Sequence, residues 1–184
     1  RRSDDAYTPG NVAGKRPDRA CTVYARLCKD AYPEVPVVIG GLEASLRRFA
    51  HYDYWDDAVR PSILVESGAD LLSFGMGEHS MVEIAQRLAA GEDIRTLRDI
   101  RGTCYLAELS DPAPPGAVSC ASFDKVRLDK MAYARASRTQ LEQQDHIYGK
   151  AILQKHGDKM LVQNPPPIPL TTQELDAVSA LPYE

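Results

Sequence analysis

Apolar positions change their period repeatedly along the chain, and each change marks a new element. Ala20, Val23, Tyr24, Leu27 and Ala31 recur at intervals of three and four, the spacing that lines up side chains on one face of a helix. Pro17 and Asp18 open this helix and Pro33 closes it. Val35 to Ile39 then runs without polar relief and is rich in β-branched residues, as expected of a strand buried on both faces. Gly40 and Gly41 end it. The same order repeats downstream, where Leu71 to Phe74 reads as a strand and Gly75-Met76-Gly77-Glu78 as a loop. Met81, Ile84, Ala85 and Leu88 form the buried stripe of a second helix. Ser80 and Glu83 make a capping-box pattern at its start, and Gly91 suits the left-handed residue past its end. A third apolar stretch, Ile100 to Ala107, predicts a strand that is shorter and nearer the edge.

Helix, strand, helix and strand with short connections predict an α/β fold, a partial Rossmann-like parallel sheet with flanking helices and right-handed crossovers. Three strands leave such a sheet incomplete, so further strands are expected before Arg1. Residues 1–17 are polar, carry Gly and Pro turn signals and show no period, which reads as an arm or loop. The abrupt Arg-Arg start suggests a longer protein. Residues 18–110 would form the Rossmann-like domain. From 111 to 184 the chain reads as linker, helix and proline-rich connector. Its parts are a linker at "DPAPPGAVS", a helix from Phe123 to about Arg138 and a short strand in "KMLVQ". A polyproline stretch that cannot join a central sheet follows, then a helix opened by Thr171 with Glu174 as its box partner. The end at "LPYE" looks like a junction between domains.

Composition narrows the function classes. With 184 residues, 43% hydrophobic and 26% charged, the chain suits one globular core. A net charge of -4 supplies no broad positive field, so a nucleic-acid partner is not expected. No apolar run approaches the roughly 20 residues that cross a bilayer, and the first residues lack the apolar middle of a secretion signal. A cytoplasmic location with no membrane partner is the expectation. Cys21, Cys28, Cys104 and Cys120 fit no zinc or iron-sulfur spacing. Seven residues of helical rise would separate Cys21 from Cys28 by roughly 10 Å, too far for a disulfide. Reduced, packed thiols are expected.

In a parallel α/β sheet, ligands gather at the carboxyl ends of the strands. Gly40, Gly41, Gly75, Gly77 and Glu78 fall there and are the candidate ligand-facing residues. Tight strand-to-helix turns also favour glycine, so these positions mark an edge without naming its occupant. Arg47 and Arg48 follow the first loop and point in different directions; one could bind an anion or pair with an acidic loop, the other would be solvated. "AHYDYWDD" gathers His51, Asp53, Asp56 and Asp57 among three aromatics, residue types that bind metals or move protons. The spacing is not convergent, and the alternative is an aromatic seal on a domain contact with His51 hydrogen-bonded to a neighbour. The absence of G-x-S-x-G, Walker A and H-E-x-x-H motifs, and of a full G-x-G-x-x-G, argues against a self-contained dehydrogenase or nucleotide hydrolase.

The segments "RRSDDAYTPG", "GKRPDRA", "IGGLEASLRRFAHYDYW", "ADLLSFGMGE", "IRGTCY" and "VQNPPPIPLTTQELDAVSALPY" resemble, in this order, the YgiQ-type radical SAM proteins. More distantly, the glycine loops resemble those of the cobalamin-binding-type domain that precedes many radical SAM barrels. The resemblance implies a parent enzyme that cleaves S-adenosylmethionine reductively at a [4Fe-4S] cluster, giving a 5'-deoxyadenosyl radical that acts on an unknown substrate. The family's C-x-x-x-C-x-x-C motif lies downstream of the "LPY" position and is absent here. Its Asp-His-Gly motif for a lower cobalamin ligand belongs upstream, so His51 is not assigned to cobalt. The segment would thus be an accessory domain whose partner is its own downstream barrel, with no catalytic residue, metal ligand or cofactor of its own. A cobalamin- or nucleotide-binding module, or a structural domain docked on the barrel, are the alternatives.

Overall fold

In the computed structural model, residues 4–182 are described. Residues 1–3 of the arm and 183–184 of the terminal "LPYE" lie outside them. After a 3₁₀ turn at Pro9–Asn11, the chain forms α1 (Ala20–Ala31), β1 (Val38–Ile39), α2 (Gly41–Leu46), β2 (His51–Asp53), β3 (Ala58–Arg60), α3 (Ile63–Ser67), β4 (Leu71–Ser73) and α4 (Glu78–Ala89). A second 3₁₀ turn, Ile94–Thr96, precedes β5 (Thr103–Glu108) and β6 (Val118–Ser119). Then come α5 (Phe123–Leu128), α6 (Lys130–Glu142), β7 (Ile152–His156), β8 (Lys159–Gln163) and α7 (Thr172–Ser179). No helix among them is long and apolar enough to cross a membrane.

Six strands build one mixed sheet in the order β1-β4-β5-β8-β7-β6, and β2-β3 form a separate antiparallel hairpin. The α/β class and the Rossmann-like repeat of strand, loop and helix stand: β1 and β4 are parallel neighbours, each followed by a glycine loop and a helix. The period-2 alternation of the strands sorts their side chains onto two faces. Leu72, Cys104, Leu161 and Ile152 join α1, α2 and α3 through Ala25, Ala44, Ile63 and Leu64. Leu71, Tyr105, Val162 and Leu153 meet Ile84 of α4 and Ile94, Leu97 and Ile100. Each fully buried Leu or Ile contributes about 1.5–3 kcal/mol.

Several expectations need correction. The third strand is neither short nor at an edge: β5 spans six residues, sits between β4 and β8, and is antiparallel to both. Its direction follows from Gly102, which turns at φ 74° and accepts from Phe74 N–H at 2.8 Å, so β5 starts where β4 ends. Within the described residues the sheet also takes in β6, β7 and β8 from residues 118–163, so it continues across position 111. The stretch from Phe123 divides into α5 and α6 at Asp129, whose extended backbone breaks the helix and whose carboxylate accepts from Met131 N–H. The 5–12 part of residues 1–17 is a loop, one of the two forms expected: Thr8 Oγ1 lies 2.9 Å from Asp5 O and 2.7 Å from Val12 O, and Arg16 pairs with Asp5.

Two helices bury narrower faces than their apolar patterns predict. In α1 the buried residues are Thr22 and Ala25, while Val23, Tyr24 and Leu27 are exposed. Small residues let α1 lie close on α3, and its bulkier side stays bare. In α4 Ile84 is buried and Leu88 partly so, whereas Met81 and Ala85 are exposed. Ser80 is an internal, buried residue of α4 and Gly77 is the residue before the helix, so no Ser80–Glu83 capping box forms. The box of Thr171 and Glu174 does form at α7, and Gly91 adopts φ 89° just after α4.

Candidate functional site

The edge expected to face a ligand is assembled around Ser73, the last residue of β4. Gly40 follows β1 in extended conformation, which any residue adopts, but a Cβ there would lie 3.3 Å from Ser73 O. A side chain at residue 40 would press on the backbone of the neighbouring strand. At Gly77 a Cβ would come within 3.2 Å of Ser73 Oγ. Ser73 and Ser80 share a buried hydroxyl hydrogen bond of 2.7 Å, and Ser80 Oγ also donates to Gly77 O at 3.1 Å. The strand end and the helix start are thereby fixed to each other. Glu78 opens α4, where a carboxylate favours the positive end of the helix dipole. Its Oε2 is enclosed and has no hydrogen-bond partner.

Gly41 and Gly75 turn with nearly the same positive φ, 75° and 72°. Nothing lies within 4 Å of a Cβ at Gly41. A Cβ at Gly75 would meet Pro167 Cγ at 3.3 Å, and one at Gly102 would meet Pro167 Cβ at 3.1 Å. The polyproline stretch thus lies over the second glycine loop without joining the sheet as a strand. Asn164 holds it in place: Nδ2 lies 3.0 Å from Arg98 O, Ile100 O and Thr103 Oγ1, while Gly102 N–H donates to Pro165 O at 2.9 Å.

The paired arginines separate as their sequence position implied, but not into one paired and one solvated. Arg47 pairs with Glu43 at 3.0 Å and lies 5.9 Å from the Trp55 ring. Arg48 is half-buried, its Cζ lies 5.5 Å from the Phe49 ring and 4.9 Å from the Phe74 ring, and its Nε donates to Gln163 Oε1 at 2.6 Å. Burial pulls the guanidinium below its usual value, although an arginine so placed keeps its charge.

The "HYDYW" acids are committed elsewhere. Burial pushes Asp53 upward, but hydrogen bonds from Arg19 and the backbone N–H groups of Asp56 and Trp55 outweigh it and hold the carboxyl below its ordinary range. Asp56 pairs with Arg19 at 2.7 Å and with Arg60; Asp57 accepts from Tyr52 Oη at 2.6 Å. His51 Nδ1 lies 3.1 Å from Phe49 O, and burial lowers its pKa, favouring the neutral ring. Among the described residues no three His, Cys, Asp or Glu side chains form a metal-binding group. All four cysteines are free thiols. Cys28 is exposed rather than packed, whereas burial pushes Cys104 and Cys120 up to about 12. Cys104 is buried and Cys120 half-buried, both with protonated thiols, and no three ligating side chains converge among the described residues, so this set does not fit a [4Fe-4S] cluster.

A groove of about 1000 Å³ lies elsewhere, between the β2-β3 hairpin and α5. Tyr52, Val59, Phe123, Val126 and Tyr133 line it together with Arg60, which is paired with Glu66 at 2.6 Å. It has an apolar floor and no uncommitted charge at Arg60. At the glycine edge, by contrast, the enclosed Glu78 Oε2 has no hydrogen-bond partner. Gln163, Asn164 and Pro167 were not foreseen as parts of that edge. Their one signal in the sequence is two amides at the end of an apolar strand, just before the prolines.

Comparison with known proteins gives the following. Residues 1–184 match the family described as radical SAM N-terminal. A UPF0313 protein of Methanocella arvoryzae is 49% identical over 186 residues, covering 99% of this chain and 30% of the relative. One from Clostridium perfringens is 50% identical over 183 residues, covering 100% and 28%. The UPF0313 protein YgiQ of Escherichia coli K12 is 43% identical over 237 residues, covering 100% and 32%. The chain therefore spans under a third of the length of these relatives. No solved structure matches.

Proposed function

The chain belongs to the radical SAM N-terminal family, and from that premise we propose that it is the accessory α/β segment of a larger enzyme. That enzyme cleaves S-adenosylmethionine reductively at a [4Fe-4S] cluster whose ligands lie outside these residues. One observation carries the reading: the chain is matched along its whole length yet fills under a third of each relative. The cysteines are consistent with it, since Cys104 is buried, Cys120 half-buried, and no three ligating side chains converge among the described residues. In this reading Gly40, Gly41, Gly75, Gly77 and Glu78 belong to a wall facing the barrel of the same protein, where they help to enclose the substrate.

The full-length protein, reconstituted anaerobically with iron and sulfide, is expected to take up about four irons per chain. Under reduction it should release 5'-deoxyadenosine from S-adenosylmethionine. A full-length protein that stays colourless and iron-free sinks the reading.

A second reading, direct binding of a cobalamin or nucleotide by this segment, has one observation in its favour: Gly41 turns at positive φ with open space beside it. Titrating cobalamins and adenine nucleotides into the full-length protein tests it. Saturable binding lost in Gly41→Val supports this reading, and no saturable binding removes it.

A further inference from the structure

Six arginines among the described residues are half-buried: Arg19, Arg47, Arg48, Arg60, Arg87 and Arg101. Four of them meet a carboxylate: Arg19 at Asp53, Arg47 at Glu43, Arg60 at Glu66 and Arg87 at Asp99, all within 3.0 Å. Arg48 and Arg101 meet none among the described residues. Both exceptions belong to one end of the sheet. Arg48 reaches Gln163 at the end of β8 and Phe74 just past β4, and Arg101 immediately precedes Gly102 at the start of β5. Glu78, an acid on that edge, has an enclosed Oε2 without a hydrogen-bond partner.

Arg48 is held as a recognition group would be. Nε is fixed by Gln163 Oε1, Nη1 donates to Ser45 O, and the rings of Phe49 and Phe74 lie 5.5 and 4.9 Å from Cζ. Nη2 makes no hydrogen bond to a described residue, and it is not among the enclosed unpartnered atoms, so it reaches solvent. Neutral carbonyls and ring faces orient a guanidinium without cancelling its charge. A partly desolvated cation lacking a counter-charge draws an anion, and a guanidinium with a free N–H edge fits the oxygen of a carboxylate or phosphate. Arg101 adds a second uncompensated charge to this edge; its Nη2 donates to His146 O at 2.7 Å, and its Nε is enclosed and unpartnered.

We propose that this end of the sheet is an oxyanion-binding site centred on Arg48, taking a carboxylate or phosphate group of a small molecule. The inference deepens the reading of the glycine edge as substrate-facing and rests on it. Arg48 is a binding residue here, and Gln163 positions it.

The test uses the full-length protein as isolated, without cluster reconstitution, so failure of cluster assembly leaves its outcome untouched. Inorganic phosphate and acetate are titrated separately against chloride at matched ionic strength, following the melting temperature. The expected result is a saturable rise with one oxyanion, which identifies the source as phosphate-like or carboxylate-like, and none with chloride. Arg48→Gln should weaken that binding at least tenfold, while Arg47→Gln, whose partner is Glu43, changes it less than twofold. Equal effects of chloride, or unaltered binding in R48Q, overturn the proposal. Should R48Q not fold, wild-type crystals soaked in selenate decide: an anomalous peak within hydrogen-bonding distance of the Arg48 guanidinium supports the site, and no peak there overturns it.

Discussion

The loops after β1 and β4 share one edge and nearly one backbone angle at Gly41 and Gly75, yet their glycines answer different demands. Gly75 turns beneath Pro167, which lies against the place its side chain would occupy, while Gly41 turns into open space. In the first loop the tight contact falls at Gly40, where Ser73 O of the neighbouring strand approaches. A glycine after a strand therefore reports a constraint without revealing whether backbone, another segment or solvent imposes it. The neighbour that settles the matter at Gly75 comes from more than ninety positions later in the chain.

Substitutions that add one methyl group separate these demands. Gly102→Ala should cost the most, about 3 kcal/mol, because left-handed strain of about 1–2 kcal/mol adds to overpacking against Pro167. Gly75→Ala faces the same ring at slightly longer distance and should cost about 2 kcal/mol. Urea unfolding midpoints at unchanged slope measure both. The paired variant Gly75→Ala with Pro167→Ala should recover the packing part and leave only the strain. If removing the proline ring recovers nothing, the two loops differ for some reason other than coverage.

A pH experiment sharpens the comparison by loading the opposite end of the sheet. His156 ends β7, is buried, stacks on Phe123 and places Nε2 3.1 Å from Gln154 Oε1, while Nδ1 is enclosed without a partner. Burial lowers its pKa from 6.5 to about 4. The unfolded chain takes up a proton below about pH 6.5 that the folded protein refuses until about pH 4, so stability falls as pH drops through that window. Between about pH 7.5 and about pH 5 the loss should be about 2 kcal/mol. His156→Leu should flatten the slope, whereas Gly75→Ala should leave it unchanged. A G75A slope that differs from the wild type would mean that the two ends of the sheet do not respond independently.

The strand-loop-helix repeat was readable because its signals are local, glycines at the turns and three- and four-residue spacing for the helices, but β1 is only Val38–Ile39 at the sheet edge and Val35 is exposed rather than buried. Thr171 and Glu174 likewise announced α7. What escaped depends on contacts between distant segments. The central place of β5 depends on pairing with β8 some sixty residues later, and β7 carries Gln154 and His156 among its apolar residues, which hides a buried strand. The bare side of α1 misled because Val23, Tyr24 and Leu27 look like a core stripe, while close contact with α3 called for the smaller Thr22 and Ala25. At the candidate site, the glycines and both arginines stood out in sequence. That Arg47 meets Glu43 one turn away could have been read from the i, i+4 spacing, but nothing local showed that Arg48 would lie on Phe74 and Gln163 without an acid.

The smallest effect tests the open half of the comparison. Gly41→Ala introduces a Cβ with no atom within 4 Å, so the methyl group meets no steric resistance, and only the positive φ of 75° counts against it. That strain should cost about 1 kcal/mol, roughly half of the Gly75 value. α2 is short, and its first turn contains Glu43, which accepts from Cys21 N–H and pairs with Arg47. A backbone that relaxed at residue 41 would disturb both contacts, and the loss would then exceed the strain alone. Adding Glu43→Gln to G41A discriminates: independent effects should sum to within about 0.5 kcal/mol, and a larger departure means that the turn and the ion pair are coupled. A Gly41→Ala cost equal to that of Gly75→Ala would show that a covering segment also presses on the first loop, and the distinction between a covered and an open glycine loop would fall.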